Sequence, residues 1–450
     1  RRWLRPRLSH GRFLTARRIV AYTLIAIFAL IPYITINGKP AILLNIVERE
    51  FTFFGFTFLP TDTVLLALFM LSVFVAIFLV TALFGRVWCG WACPQTVYME
   101  FLYRPIERLI EGSPARKQTV TAATGARKIL KYVVYLVLSL FLAHVFLAYF
   151  VGIDQLKVWV TRSPFEHPTS FLVMAAVTGL MMFDFGFFRE QVCLVACPYG
   201  RFQSAMLDRD SLIVTYDRKR GEPRGKMKRT KNRDGDVSLN VVPTGDCIDC
   251  KMCVTTCPTG IDIREGLQME CIGCAQCIDA CDSVMEKIGR PRGLIRYSSQ
   301  AAVEDGKWSI WRPRIFFYPV LLVLFVSLFV YTLSTKAEAD VTVMRARGVP
   351  FVVRGDGLVQ NQLRVKVTNR TDQTRTYMFS ASGLEGLRLV PASGDAFTLD
   401  PGETETADLR AVFPPSSHMG DAVDIDVTVS SESGGEIMTT GFRLLGPRGE

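Results

Sequence analysis

Residues 247–258 read CIDCKMCVTTCP, and residues 271–282 read CIGCAQCIDACD. Each run spaces four cysteines as C-x2-C-x2-C-x3-C: Cys247, Cys250, Cys253 and Cys257 in the first, Cys271, Cys274, Cys277 and Cys281 in the second. This is the spacing of a bacterial-type two-cluster ferredoxin. Two-residue gaps let a tight loop wrap three thiolates round one face of an iron–sulfur cubane, and the fourth cysteine of each run reaches the other cluster. One [4Fe–4S] cluster is therefore expected on Cys247, Cys250, Cys253 and Cys281, and a second on Cys271, Cys274, Cys277 and Cys257. Zinc fits less well, because zinc knuckles pair two C-x2-4-C units per ion and need no run of four. Pro258 follows the last cysteine of the first run, whereas Asp282 holds that place in the second. That proline turns the chain without ligating, so the departure predicts a change of loop shape and no loss of a cluster.

Outward from these runs, the chain is unevenly apolar. Residues 19–36, 63–84, 132–151, 171–188 and 315–333 each approach the roughly 20 apolar residues that span a bilayer. The first is too long for a cleaved signal peptide, and no small-x-small site follows it. Lysine and arginine orient the five. Arg1, Arg2, Arg5, Arg7, Arg12, Arg17 and Arg18 precede the first run, and Arg86, Arg104, Arg108, Arg116, Lys117, Arg127, Lys128 and Lys131 lie between the second and third. The segment 189–314 is also heavily basic, while the loops after runs one and three are not. The N-terminus, the 85–131 loop and 189–314 are thereby expected on the cytoplasmic face, and the chain beyond Leu333 outside.

The expected domains are a four-helix membrane region (1–188), a cytoplasmic segment with the two-cluster ferredoxin insert (189–314), a last spanning helix (315–333) and an outer domain (334–450). In the outer domain QLRVKVTN sets Leu363, Val365 and Val367 on one strand face, and VDIDVTVS does so with Val423, Ile425, Val427 and Val429. With turn signals RGDG, ASGD and DPGE between them, these strands predict an immunoglobulin-like β-sandwich. It contains no cysteine, and its one histidine, His418, reads as a surface residue. The fold class is a membrane protein with five transmembrane helices, a ferredoxin insert and a C-terminal sandwich.

The net charge of +10 is a sum of unlike parts: residues 336–450 carry 12 basic and 16 acidic residues, −4 in all, which leaves +14 elsewhere. The densest basic run, RKRGEPRGKMKRTKNR at 218–233, has no aromatic residue for stacking on bases. It suits anionic lipid headgroups or a solvated linker. No nucleic-acid partner is expected.

Four cysteines remain. CGWACP carries Cys89 and Cys93, and CLVACP carries Cys193 and Cys197; both are C-x3-C-P, both follow an arginine (Arg86, Arg189), and both end an outward-to-inward helix. Each continues into an amphipathic stretch, QTVYMEFLYRPIERLI and YGRFQSAMLDRDSLIV. Residues i and i+4 of a regular helix stand about 5–6 Å apart at Cβ, against the roughly 3.8 Å of a disulfide. Three readings stay open: a metal site for Cu(I) or an additional cluster, a redox dithiol pair, and compact helix packing. Asp184 lies about a turn from the second pair and is a further candidate ligand or an ion-pair partner of Arg189. Met174, Met181 and Met182 share its helix. His144 lies within run three, with no second histidine placed to complete an axial haem pair across the membrane.

In order, GRVWCGWACPQT, CLVACPYGRFQSAM, the ferredoxin runs and the sandwich resemble the cytochrome c oxidase accessory protein family (CcoG, also called FixG), over essentially the whole chain. The resemblance implies a multi-pass protein of the bacterial inner membrane with a periplasmic C-terminal domain. It implies an oxidoreductase, a cupric reductase that turns Cu(II) into Cu(I) for assembly of cbb-type oxidases, with the eight ferredoxin cysteines carrying the electrons. Copper ions, a cytoplasmic electron donor, oxidase assembly factors or subunits and the lipid bilayer are the partners so implied. The alternatives are a quinone-linked electron-transfer subunit and an assembly scaffold with structural clusters. Cys89, Cys93, Cys193 and Cys197, with Asp184 as a further candidate, are the candidate site for copper or a third cluster, and which of the two occupies it stays open.

Overall fold

The structure is a computed structural model that describes residues 4–447 apart from 37, 47–49, 59–61, 113–124, 226–227, 232–236, 241–244, 308, 310, 336, 347, 372, 392–395, 401, 415–421 and 432–435. His418 lies outside the described residues. The chain forms two compact units, residues 1–56 with 68–326, and residues 57–67 with 327–450.

Among the described residues, five helices are long and apolar enough to cross a membrane: Arg12–Tyr33, Thr63–Phe84, Ala126–Val151, Pro168–Phe188 and Pro313–Ser334. The 22 residues of Thr63–Phe84 reach about 33 Å at 1.5 Å per residue, the thickness of a hydrocarbon core. The first helix begins at Arg12, earlier than its apolar run. Its opening N–H groups are satisfied from elsewhere: the Asp279 carboxylate accepts from Phe13 N at 3.2 Å and Leu14 N at 2.8 Å. A carboxylate at a helix N-terminus also complements the dipole. The helix ends sooner than expected, because Thr35–Ile36 pairs with Lys39–Pro40 as strand.

Within the first unit, the iron–sulfur segment is closed by two antiparallel strands, Ile213–Tyr216 and Ile295–Ser298. Val214, Ile263, Ile278, Met285, Leu294 and Ile295 form its core together with Cys247 and Cys253. Only the first half of the second amphipathic stretch is helical, Pro198–Met206, because its β-branched end is the strand Ile213–Tyr216. Helix Gln276–Lys287 runs unbroken through Cys277 and Cys281. Asp282 explains this: a proline there would remove a helix N–H and clash with the preceding turn, whereas the Asp282 carboxylate accepts from Gly293 N at 2.9 Å. The basic run is partly ordered, with one helical turn, Arg218–Gly221, capped by the Asp217 side chain. Strand Lys228–Lys231 then pairs with Val237–Asn240.

The second unit holds a sandwich of two antiparallel sheets. One has the order 339–345, 359–369, 404–413, 388–391, with 352–353 added to 359–369; the other has the order 396–399, 375–382, 422–431, 436–445. The predicted alternation holds: Leu363, Val365, Val367, Ile425, Val427 and Val429 are all buried in the sandwich core.

Candidate redox centre

The two cysteine runs fold as copies of one another down to the backbone. The residues on either side of the second cysteine are left-handed in both: Asp249 (φ 50°) and Lys251 (φ 56°) around Cys250, Gly273 (φ 68°) and Ala275 (φ 58°) around Cys274. Three of these four carry side chains, for which positive φ is costly. Such turns aim successive N–H groups at one point and form anion-binding concavities. Here the N–H groups of Gly273 and Gln276 face the sulfurs of Cys271 and Cys274, and that of Met252 faces Cys250.

The fourth cysteines cross over. Burial pushes the Cys281 thiol up to about 12, and its neighbours Cys253, Cys250 and Cys247 add to the rise. Burial likewise pushes Cys271 up to about 12, with Cys274 and Cys257 adding to it. One small cavity is lined by Cys253, Cys257, Cys271, Cys274 and Cys277. Among the described residues no three His, Cys, Asp or Glu side chains converge closely enough to hold one ion. Sulfurs that grip a cubane stand further apart than ligands of a single ion. The grouped thiols, the inward N–H groups and the cavity fit two [4Fe–4S] clusters. Burial that disfavours a bare thiolate also means that deprotonation accompanies metal binding.

The two C-x3-C-P motifs also share one geometry, though not the regular helix assumed from spacing. The N–H of each second cysteine reaches back five residues, Cys93 N to Trp88 O and Cys197 N to Val192 O, both at 2.8 Å. The turn is thus π-like, a shape frequent at functional sites. Cys93 and Cys197 then leave the helix in extended conformation, and Pro94 and Pro198 start a new one at its first position.

This sets the four thiols near one another, although, as at the ferredoxin runs, no three of them converge closely enough to hold one ion. Cys193 is pushed up to about 12 by burial, with Cys93, Cys89 and Cys197 as its thiol neighbours. Burial also raises Cys89, against the lowering effect of Arg86. Cys89 Sγ is 3.1 Å from Gln203 Oε1, and Gln203 Nε2 donates to Thr81 Oγ1 and Tyr199 OH at 2.9 and 2.7 Å. Asp184 accepts from Gln95 Nε2 at 2.9 Å, two residues past Cys93, so it borders the site without joining the thiols. The Arg189 guanidinium is committed to Glu107, at 3.1 and 2.7 Å.

The hairpin site is packed directly on the iron–sulfur segment. Cys89, Ile272 and Cys274 form one buried cluster, with Cys193 and Tyr199 against it. Tyr297 OH donates to Gly273 O at 2.5 Å and accepts from Trp91 Nε1 at 3.1 Å. Residues 4–10 add a second seam, with Arg7 N bonded to Thr255 O and Gln276 Nε2 to Ser9 O.

Several basic residues that the sequence presents as membrane-flanking charges are buried in ion pairs. Glu107 meets Arg189, Arg5 (3.4 Å) and Lys131 (3.7 Å); Glu111 meets Arg5 and Lys131 (2.7 Å); Arg104 meets Glu100 and Glu190 (3.5 Å). Burial alone would raise the Glu107 carboxyl, but Arg189, helped by Arg5 and Lys131, holds it below its ordinary value. A charge count could not have revealed these pairs. His144 and His167 both line an open pocket with Trp159 and Met174.

Known proteins share this combination. Residues 188–300 match a family described as a 4Fe-4S dicluster domain, residues 66–112 a 4Fe-4S binding domain, and residues 329–447 the IG-like fold at the C-terminal of FixG. Protein RdxA of Cereibacter sphaeroides is 35% identical over 402 residues, covering 85% of this chain and 83% of its own. Protein RdxB of the same organism is 35% identical over 408 residues, with the same coverage of both chains. The nitrogen fixation protein FixG of Rhizobium meliloti is 32% identical over 426 residues, covering 85% of this chain and 80% of its own. The crystal structure of a FixG-related protein from Vibrio parahaemolyticus is similar at 21% identity and a TM-score of 0.22, over 24% of this chain and 97% of that one. With such identity across most of both chains, this chain belongs to the FixG family of membrane iron–sulfur proteins.

Proposed function

We propose that this chain reduces Cu(II) to Cu(I) at the thiols of Cys89, Cys93, Cys193 and Cys197, on the cytoplasmic face of the bacterial inner membrane, for assembly of a cbb-type oxidase. The observation that carries the reading is the packing of Cys89 and Cys193 on Ile272 and Cys274. On this reading a soft four-thiol site would lie against the loop of one cluster. When bound, the clusters at the eight ferredoxin cysteines supply electrons one at a time, received from a cytoplasmic one-electron donor.

Copper is the substrate. Reduction of Cu(II) to Cu(I) takes one electron and moves no proton, so the site needs only to hold the ion and exclude competing oxidants. Thiolates prefer Cu(I), which favours the product state. Gln203 fixes the Cys89 sulfur through its bonds to Thr81 and Tyr199. Arg86 stabilises thiolate at Cys89. The N–H groups of Thr96 and Gln95 do so at Cys93.

The test is single-turnover mixing of full-length protein, its clusters reduced and excess reductant removed, with Cu(II) or with a short-chain quinone. The expected result is reoxidation of the clusters by Cu(II), one Cu(I) formed per electron lost, and no reaction with quinone. Reaction with quinone alone would replace this reading with a quinone-linked subunit. No reaction with either would favour a scaffold with structural clusters.

A further inference from the structure

Two buried arginines stand in the seam between the four-thiol site and the second cysteine run. Arg17 is 2% exposed and Arg86 6%. Arg17 Nε donates to Gly90 O at 2.9 Å, between Cys89 and Trp91, and its guanidinium lies 5.3 Å from the Phe101 ring. Arg86 donates to Met269 O, two residues before Cys271, and its backbone carbonyl packs on Gly273. Arg17 Nη2 and Arg86 Nε are buried without a hydrogen-bond partner, and among the described residues neither guanidinium has a carboxylate mate. Burying a guanidinium with no counter-charge is strongly unfavourable. An anionic cluster on Cys257, Cys271, Cys274 and Cys277 would lie beside both, with Arg17 facing Cys274 and Arg86 facing Cys271, and the Cys89 sulfur is a second partner of Arg86.

The other run is arranged in the opposite sense. Its buried cation, Arg264, is already neutralised by Asp249 and Asp262, each at 2.6 Å, and Asp282 follows Cys281. Two further carboxylates face the second run, and both are compensated. Glu100 pairs with Arg104, and Asp279 accepts from the N–H groups that open the first span. One cluster therefore sits beside two buried positive charges without a carboxylate partner, and the other beside a buried cation that carboxylates already neutralise. Net charge around a cluster is one of the levers on its potential, and positive charge favours the reduced, more negative state.

We propose that Arg17 and Arg86 set the reduction potential of the cluster held by Cys257, Cys271, Cys274 and Cys277 above that of its partner, so that an electron on the chain settles beside Cys89 and Cys193. The inference rests on the iron–sulfur assignment and not on copper as substrate.

It is tested by EPR-monitored redox titration of full-length protein with both clusters loaded, the two signals assigned with a Cys257→Ser variant. In the double variant Arg17→Gln, Arg86→Gln the ratio of reduced to oxidised cluster at fixed solution potential is expected to fall about tenfold at one cluster, about 59 mV for one electron. That cluster is the one perturbed by Cys257→Ser, and the other stays in place. Arg17→Lys with Arg86→Lys, which keeps the charge, should restore the parent potential. Asp262→Asn should raise the potential of the other cluster alone. Unchanged potentials, or equal shifts of both clusters, would overturn the proposal. If the glutamine variants lose iron, the Asp262→Asn titration decides: a selective rise supports it and no shift refutes it. Failure of copper reduction would leave these potentials as they are, so the two readings fail separately.

Discussion

Gly90 has no side chain for a reason that lies 180 residues away in sequence. A Cβ there would stand 2.6 Å from Ile272 O and 2.8 Å from Cys274 N, both backbone atoms that cannot swing aside. The close approach of hairpin and cluster loop depends on that missing methyl. Gly90→Ala is accordingly expected to lower stability by about 1–3 kcal/mol, the range for overpacking a filled site. It should also slow reoxidation of the clusters by Cu(II). Thermal unfolding in detergent together with the stopped-flow rate checks both, and an unaffected variant would show that the seam is looser than described. From the sequence Gly90 is merely a spacer between two cysteines. Arg17 and Arg86 are equally opaque there, since a count of positive charge cannot separate a residue at the lipid headgroups from one wedged between loops.

The helical stretch Met99–Glu111 is an element whose role differs from its pattern. Its apolar and charged faces predict an interfacial helix, yet Glu107 is the hub of a buried ion cluster that ties it to Arg5, Lys131 and Arg189. Removing the carboxylate leaves three cations without it, so Glu107→Leu should cost about 3–5 kcal/mol, as breaking buried pairs does. The pH dependence has a definite sign. A carboxyl held below its unfolded value of about 4.3 contributes full stability above that pH, and the contribution fades as pH falls through the lower folded value. Acid unfolding of the parent should thus begin below pH ~4, with Glu107→Gln showing less of this component; identical acid limbs would contradict the assignment. Asp279 acts similarly at the first span. Asp279→Ala removes the acceptor of two opening N–H groups and should cost about 0.5–2 kcal/mol, as lost helix caps do.

At the scale of the whole molecule, the legible features were those written in local spacing. The eight ferredoxin cysteines, the five spans and the alternating strands of the sandwich each repeat with a period that one segment shows by itself. The site between them was half legible. The paired C-x3-C-P motifs announce that four thiols belong together, but spacing alone suggested a regular helix where the chain makes a π-like turn and restarts at proline. What could not be read was every contact made at long range: Gln203 beside Cys89, Tyr297 bridging Trp91 and Gly273, and the N-terminal residues stitched to the cluster loops. These contacts pack the iron–sulfur segment and the paired hairpins into one continuous unit.

That unity is tested most directly by metal analysis of the full-length protein beside a variant with Cys89, Cys93, Cys193 and Cys197 all changed to serine. The account predicts about eight irons per chain in both, four for each of two cubanes. It also predicts copper bound by the parent and not by the variant, and Cu(II) reduction lost with it. A fall of about four irons in the variant would mean a third cluster in place of copper, and unchanged copper binding and reduction would remove the four-thiol site from the mechanism.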